Sequence, residues 1–179
     1  NGGYINEYKG KAVTSNYPLR SGKGSLYEGG IRIPTIIFSP KHPGNGKKID
    51  TPISTIDFVP TLMELTGEKA PEGLDGKSFL SALNGNPEQE LLQRPLFWHY
   101  PHYYATTTPV SAIRDKNWKL LHYLDDNHLE LYDLDADLGE TKNLAAEKPE
   151  LVLALKAKLE NWKTEVGAQG IVPNPGYKK

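Results

Sequence analysis

The rhythm of apolar and polar positions along this chain changes near residue 94. Beyond it, residues 95–100, 111–114, 118–123 and 128–133 are short runs rich in strand-forming side chains. Asp115-Lys116-Asn117 and Asp125-Asp126-Asn127 separate the last three runs, and both are turn formers. The spacing predicts an antiparallel meander. A helical pattern follows, opened by Pro149 and running to about Val166. It places Leu151, Leu155, Leu159, Trp162 and Val166 on one stripe. A helix with one apolar stripe beside a small sheet predicts that the two pack together. Residues 167–179 are rich in Gly and Pro and predict an extended tail.

Upstream of residue 94 the signals are sparser. Residues 1–30 hold neither a helical nor a strand period and predict loop. Residues 31–38, Ile-Arg-Ile-Pro-Thr-Ile-Ile-Phe, form a β-branched run that predicts a buried strand with Pro34 near its start. Residues 41–48 predict an exposed turn. Over 54–67, Ile56, Val59, Leu62, Met63 and Leu65 have helical spacing; Ser54 or Asp57 can cap the start and Gly67 the end. Pro60 fits if that helix begins near Asp57, because first-turn amides have no partner within the helix. A short helix is predicted around 78–83, closed by Asn84-Gly85. The change of rhythm divides the chain into residues 1–90, of αβ character, and residues 91–179, a small α+β unit.

Bulk properties narrow the class. The 179 residues suit one ordinary domain or two small ones. A formal charge of −1 gives no pull toward nucleic acid or an anionic membrane. With no cysteine there is neither a disulfide framework nor a thiolate zinc site. No apolar run approaches the roughly 18 residues that a membrane span needs. Asn1-Gly2-Gly3 does not resemble a signal peptide. Such a start reads as a point inside a larger protein, with any export signal upstream.

Candidate chemistry concentrates in Leu19-Arg20-Ser21-Gly22-Lys23-Gly24-Ser25-Leu26-Tyr27-Glu28-Gly29-Gly30-Ile31-Arg32. Gly22 and Gly24 free the backbone on both sides of Lys23. Arg20, Lys23 and Arg32 are opposed only by Glu28. Glycines around a lysine in a loop can cradle an anion, and the spacing is not that of a Walker motif. The plain alternative is a solvated loop. A second cluster is Phe97-Trp98-His99-Tyr100-Pro101-His102-Tyr103-Tyr104. Its histidines and tyrosines can form a sugar-binding wall, or its alternate members can be sheet core. His99 and His102 lack a third ligand for zinc. The aspartates at 125–126 and at 133, 135 and 137 lack the glycine and terminal glutamate of an EF-hand.

These strings, in this order, resemble the type I sulfatases, which depend on a formylglycine nucleophile. Residues 22–34 resemble that family's second signature region, and Asn1-Gly2-Gly3 resembles the end of its Asp-Asn-Gly metal-binding segment. Ser54-Thr55-Ile56-Asp57-Phe58-Val59-Pro60-Thr61-Leu62 and Asp75-Gly76-Lys77-Ser78 resemble later motifs. Glu130-Leu131-Tyr132-Asp133-Leu134 and Gly139-Glu140-Thr141-Lys142-Asn143-Leu144 resemble the family's C-terminal pattern. The resemblance implies the α/β fold class: the C-terminal part of an alkaline-phosphatase-like αβα domain over 1–90, then a small α+β subdomain with an antiparallel sheet and a packed C-terminal helix over 91–179. It implies hydrolysis of sulfate monoesters on a small molecule or glycan. Lys23 would contact the sulfate, with Arg20, His99 and His102 on the substrate side. Asn1 would be one ligand of a calcium ion, and an amide oxygen is a hard donor that suits calcium. The formylglycine nucleophile would lie upstream of this chain, so the chain alone is expected to be inactive. The resemblance further implies export to the periplasm or exterior. A homo-oligomer or companion chain would cover apolar residues such as Ile33, Ile36 and Ile37. The alternatives are a phosphate or phosphonate monoester hydrolase of the same superfamily, and a non-catalytic carbohydrate-binding module.

Overall fold

The structure, a computed structural model, describes residues 1–39, 46–172 and 174–176. These fall into two compact units, Asn1–Pro34 with Pro95–Lys179, and Thr35–Arg94. The expected division placed residues 1–34 with the second of these; in the structure they are grouped with the sheet. Of the turn expected over 41–48, residues 41–45 lie outside the described residues, as do 173 and 177–179 of the expected tail.

The first unit is built on four antiparallel strands in sequential order: β3 (Leu96–Tyr100), β4 (Val110–Asp115), β5 (Trp118–Tyr123) and β6 (Leu129–Asp133). This is the predicted meander. Lys116 and Asn127 both have positive φ, 58° and 59°, where the hairpins reverse. Strand alternation then sorts side chains onto two faces. Ile113, Leu120 and Leu131 meet Val152, Leu155 and Leu159 of α5 (Pro149–Glu165). Phe97 stacks on Trp162 with ring centroids 4.9 Å apart. Val110, Ala112, Leu121, Tyr123 and Tyr132 point to the opposite face and pack with Leu26 and Tyr27. So α5 covers one side of the sheet and the Arg20–Gly30 segment covers the other. That segment ends in a short helix, α1 (Glu28–Ile31); before it lies only a small exposed hairpin, β1 (Glu7–Tyr8) with β2 (Lys11–Ala12).

The second unit is helical. A 3-10 turn (Thr55–Asp57) leads into α2 (Phe58–Thr66), followed by α3 (Leu80–Leu83) and α4 (Gln89–Gln93). The predicted ends of α2 hold. Ser54 and Asp57 form a capping box, and Gly67 closes the helix at φ 81°. Its apolar stripe faces outward, however: Ile56, Val59, Leu62 and Leu65 are exposed, while Asp57, Pro60 and Thr61 are buried.

The buried strand predicted over 31–38 is not formed. Ile31 ends α1, and residues 32–39 carry no strand. Ile36 is 94% and Phe38 80% exposed. A β-branched run needs a neighbouring strand to become one. No described strand lies alongside it, and Pro34 removes one donor.

Candidate functional site

The Lys23 segment is a closed loop. Gly29 N–H donates to the Arg20 carbonyl at 2.9 Å, and Ser25 N–H to the Gly22 carbonyl at 3.1 Å. The Ser25 hydroxyl donates to that same carbonyl at 3.0 Å. Residues 25–30 are all buried, but Lys23 is exposed, and its ammonium has no partner among the described residues. Two glycines allow this closure for steric reasons. A Cβ on Gly29 would run into the carbonyl oxygens of Arg20 and Ser21, and one on Gly30 into those of Ser25 and Gly22. Gly29→Ala is therefore expected to cost about 1–3 kcal/mol through overpacking. A lowered urea midpoint would show it, and an unchanged midpoint would refute this account of the loop.

The chain's first residues dock on this loop. Gly2 N–H donates to the Gly30 carbonyl at 2.8 Å, and Lys23 N–H to the Gly3 carbonyl at 3.0 Å. The Asn16 side chain pins the same strip: its Oδ1 accepts from Gly3 N–H, and its Nδ2 donates to the carbonyls of Gly3 and Ser21. Asn1, exposed, thus lies on the segment bonded to the Lys23 loop. Its amide oxygen fits one position of a hard-cation shell. One amide does not hold a cation, and among the described residues no group of three or more His, Cys, Asp or Glu side chains could hold one.

The aromatic segment divides. His102, Tyr103 and Tyr104 lie in the loop after β3, which folds onto the Lys23 loop. The Tyr104 ring covers Gly24, where φ is 92° and a side chain would collide with it. The Thr106 hydroxyl donates to the Lys23 carbonyl at 2.9 Å. His102 is exposed, its ring edge-on to Tyr100 at 5.3 Å. His99 alternates to the other face of the sheet. Its Nδ1 is 2.8 Å from the buried Ser111 hydroxyl, and its Nε2 is 2.7 Å from the Gln169 carbonyl. A carbonyl can only accept, so Nε2 donates to it, while Nδ1 shares a hydrogen bond with the Ser111 hydroxyl. The structure therefore brings the Asn1 segment, Arg20 and Lys23 together on one side of the sheet, leaves His99 on the other, and holds His102 exposed in the loop after β3.

Arg20 is fixed rather than free. Its Nη1 donates to the Tyr132 hydroxyl and to the Glu140 carbonyl, both at 2.8 Å, and its guanidinium lies 3.9 Å from the Tyr27 ring centre. The Tyr27 and Tyr132 hydroxyls both donate to Glu130 Oε2, at 2.6 and 2.9 Å, and the Tyr123 hydroxyl donates to that of Tyr27. Burial pushes Tyr123 up to about 12, and burial and the Glu130 carboxylate raise Tyr27 further, so the network stays neutral at its phenols. Arg32 pairs with Glu28, four residues before it, at 3.4 Å. What the sequence reading missed is the cluster beneath the loop: Lys119 of β5, wholly buried, lies between Glu28 and Glu140 at 3.0 and 2.9 Å. A lysine among the apolar residues 118–121 was the available signal.

Residues 21–165 match the family model described as N-sulphoglucosamine sulphohydrolase, C-terminal. The chain belongs to the sulfatase family. Among sulfatase relatives, it is 38% identical over 181 residues to a sulfatase of Formosa agariphila, covering 90% of this chain and 31% of that protein. It is 35% identical over 126 residues to the Delta 4,5-hexuronate-2-O-sulfatase of Bacteroides thetaiotaomicron, covering 68% of this chain and 26% of that one. Among solved structures, Ps i-CgsB in complex with k-i-k-neocarrahexaose superposes with a TM-score of 0.71 at 30% identity, covering 83% of this chain and 32% of that one. The phosphonate monoester hydrolase of Agrobacterium radiobacter, at 22% identity and a TM-score of 0.51, over 68% of this chain and 27% of that one, shares the fold. The chain thus spans about a third or less of the length of these relatives. The antiparallel sheet and packed C-terminal helix are those of the sulfatase C-terminal part. No helix among the described residues is long and apolar enough to cross a membrane.

Proposed function

We propose that this chain serves the hydrolysis of sulfate monoesters on a glycan, and that Lys23 holds a sulfate oxygen during the reaction. The observation that carries this reading is the Lys23 ammonium: solvent-facing, unpaired among the described residues, and mounted on a backbone loop that is closed on itself and buried beneath. As the sulfur–oxygen bond of an ester breaks, negative charge grows on the sulfuryl oxygens and on the departing oxygen. A cation already fixed nearby stabilises that charge without reorganising. Arg20 sets one end of the loop, and His102 and Tyr103 are exposed in the segment after β3 whose Tyr104 and Thr106 touch that loop, where they can meet the sugar. His99, with both ring nitrogens engaged on the other face, is assigned to holding the sheet and the tail. The family resemblance supplies a formylglycine nucleophile and calcium from residues outside this chain; calcium would polarise the sulfate, with Asn1 as one oxygen ligand. A sulfated glycan fits the printed activities of the relatives, and the resemblance points to export. The outward apolar residues Ile36, Phe38 and Val59 support a companion chain or homo-oligomer as cover.

The test is turnover of an aryl sulfate and a sulfated oligosaccharide by an enzyme in which this chain completes the N-terminal part of the Formosa agariphila sulfatase. Lys23→Ala is expected to lower kcat about 10²–10³-fold, the range for loss of one fixed transition-state contact. Unchanged kcat/KM would reject the role of Lys23. Faster turnover of an aryl phosphonate than of the sulfate would reject the sulfate assignment. The chain alone is expected to turn over neither.

A further inference from the structure

Lys119 is an anomalous side chain for the middle of a sheet. It has no solvent exposure, and its strand neighbours across the ladder are Arg114 and Tyr132. Its ammonium reaches Glu28 Oε1 at 3.0 Å and Glu140 Oε1 at 2.9 Å. The second contact is an ion pair without hydrogen-bond alignment, since Glu140 Oε1 has no hydrogen-bond partner. Arg114 adds a longer contact to Glu28 at 3.9 Å. Taking three such charges out of water is expensive, and apolar side chains of similar volume stabilise a fold as well or better. Stability alone therefore does not account for the cluster.

Position does. Glu140 grips the Lys23 loop at both ends. Its carboxylate accepts the backbone N–H of Glu28 at 2.6 Å, and its own carbonyl accepts Arg20 Nη1 at 2.8 Å. Between these two anchors run the residues that carry Lys23, closed by the Gly29–Arg20 bond. Lys119 neutralises Glu140 and holds the Glu28 side chain to the sheet. Glu140 itself sits at φ 53°, a backbone state that a non-glycine residue rarely adopts. We propose that Lys119 and Glu140 are positioning residues for Lys23: together they staple both ends of the Arg20–Gly30 loop to the sheet and so fix where the ammonium at its tip meets an oxyanion. This rests on the reading of Lys23 as the sulfate-holding cation.

The test uses the full chain, amide hydrogen exchange by NMR, and titration with inorganic sulfate. In Lys119→Met, the amides of Lys23, Glu28 and Gly29 are expected to exchange about tenfold faster or more, while those of Leu120 and Leu121 keep their protection. The sulfate-dependent shift at Lys23 is expected to vanish with them, and Lys119→Arg to restore both. If Lys119→Met loses the sheet, the charge-balanced Lys119→Met/Glu140→Gln pair carries the test. Loop protection that stays at the parent level, or falls only in step with the strands, overturns the proposal. Loss of the sheet in the charge-balanced pair also overturns it, because the cluster would then serve the fold alone. Lys23→Ala separates the two readings: sulfate shifts that persist in this variant remove Lys23 as the anion contact, whereas the exchange result judges the staple.

Discussion

Asp57→Ala is expected to destabilise the Thr35–Arg94 unit by about 3–5 kcal/mol, the usual cost of stripping one partner from a buried ion pair. Asp57 has no solvent exposure, and one carboxylate there does the work of several contacts. Oδ2 accepts the Ser54 N–H at 2.6 Å, which caps the entry to α2. Oδ1 accepts the Lys77 N–H at 2.9 Å and Arg94 Nη1 at 2.6 Å, while Arg94 Nη2 closes on Oδ2. The carboxylate thus ties the start of α2, the Asp75–Ser78 turn and the end of α4 together. Among the described residues the unit has little else to rely on, since its buried apolar cluster there is Phe79, Ala82 and Leu91, with Ile53 and Leu83 against it. Alanine would leave the Arg94 guanidinium buried without its anion. Urea unfolding followed through the α2 amides checks this. Asp57→Asn keeps acceptor oxygen but loses the charge, and should fall between alanine and the parent. A shift under about 0.5 kcal/mol, the range of an ordinary surface change, would reject the account.

Glu28→Ala should destabilise the sheet unit by a similar amount, about 3–5 kcal/mol, because it takes from Lys119 its hydrogen-bonded carboxylate and from Arg114 its ion-pair partner. Glu140→Gln should cost little at neutral pH. The difference follows from the environment of each carboxyl. Burial works to raise Glu28, but the Lys119 ammonium, with Arg114 and Arg32, outweighs it and holds Glu28 below the ordinary value of 4.5. Burial raises Glu140 above 4.5, and Lys119 does not fully offset that. Glu28 therefore contributes stability that is complete above pH 4.5 and is lost as the pH falls through its lower folded value. Glu140 runs the other way. Its ionised form weakens the fold above its folded value, and that cost disappears as the pH falls toward 4.5. Glu140→Gln and the parent should converge in stability on acidification toward that pH, while Glu28→Ala stays well below both until more acid conditions. Denaturant unfolding at neutral and mildly acid pH separates the three chains. Equal losses in Glu28→Ala and Glu140→Gln at neutral pH would sink the asymmetry.

Some of this architecture is legible residue by residue. The meander could be read because alternation and turn chemistry are local: Asp115-Lys116-Asn117 and Asp125-Asp126-Asn127 reverse the chain where expected. The C-terminal helix could be read because its stripe recurs within three or four positions, and Leu155 and Leu159 are its buried centre. Ser54 and Gly67 mark the ends of α2 for the same reason: caps act over one turn. The Lys23 loop was visible as glycine and charge, and the family resemblance gave it a role.

Other features were decided by distant partners. The run at 31–38 has the composition of a strand but no described strand to pair with, so propensity alone could not form it. His99 and His102 are three residues apart in sequence, yet pairing register sends His99 to the Ser111 face while His102 lies exposed in the loop after β3, edge-on to Tyr100. Lys119 reads as an ordinary strand lysine until the fold buries it against Glu28, 91 residues away. Glu28 in turn meets Glu140 across 112 residues. Local sequence determined the four-stranded meander, the C-terminal helix, the caps of α2 and the glycine-rich character of the Lys23 loop, because each depends on neighbours within a few positions. Only the tertiary structure decided which charges are buried beneath that loop and which face of the sheet holds His99, because desolvation and strand register exist only once remote segments have come together.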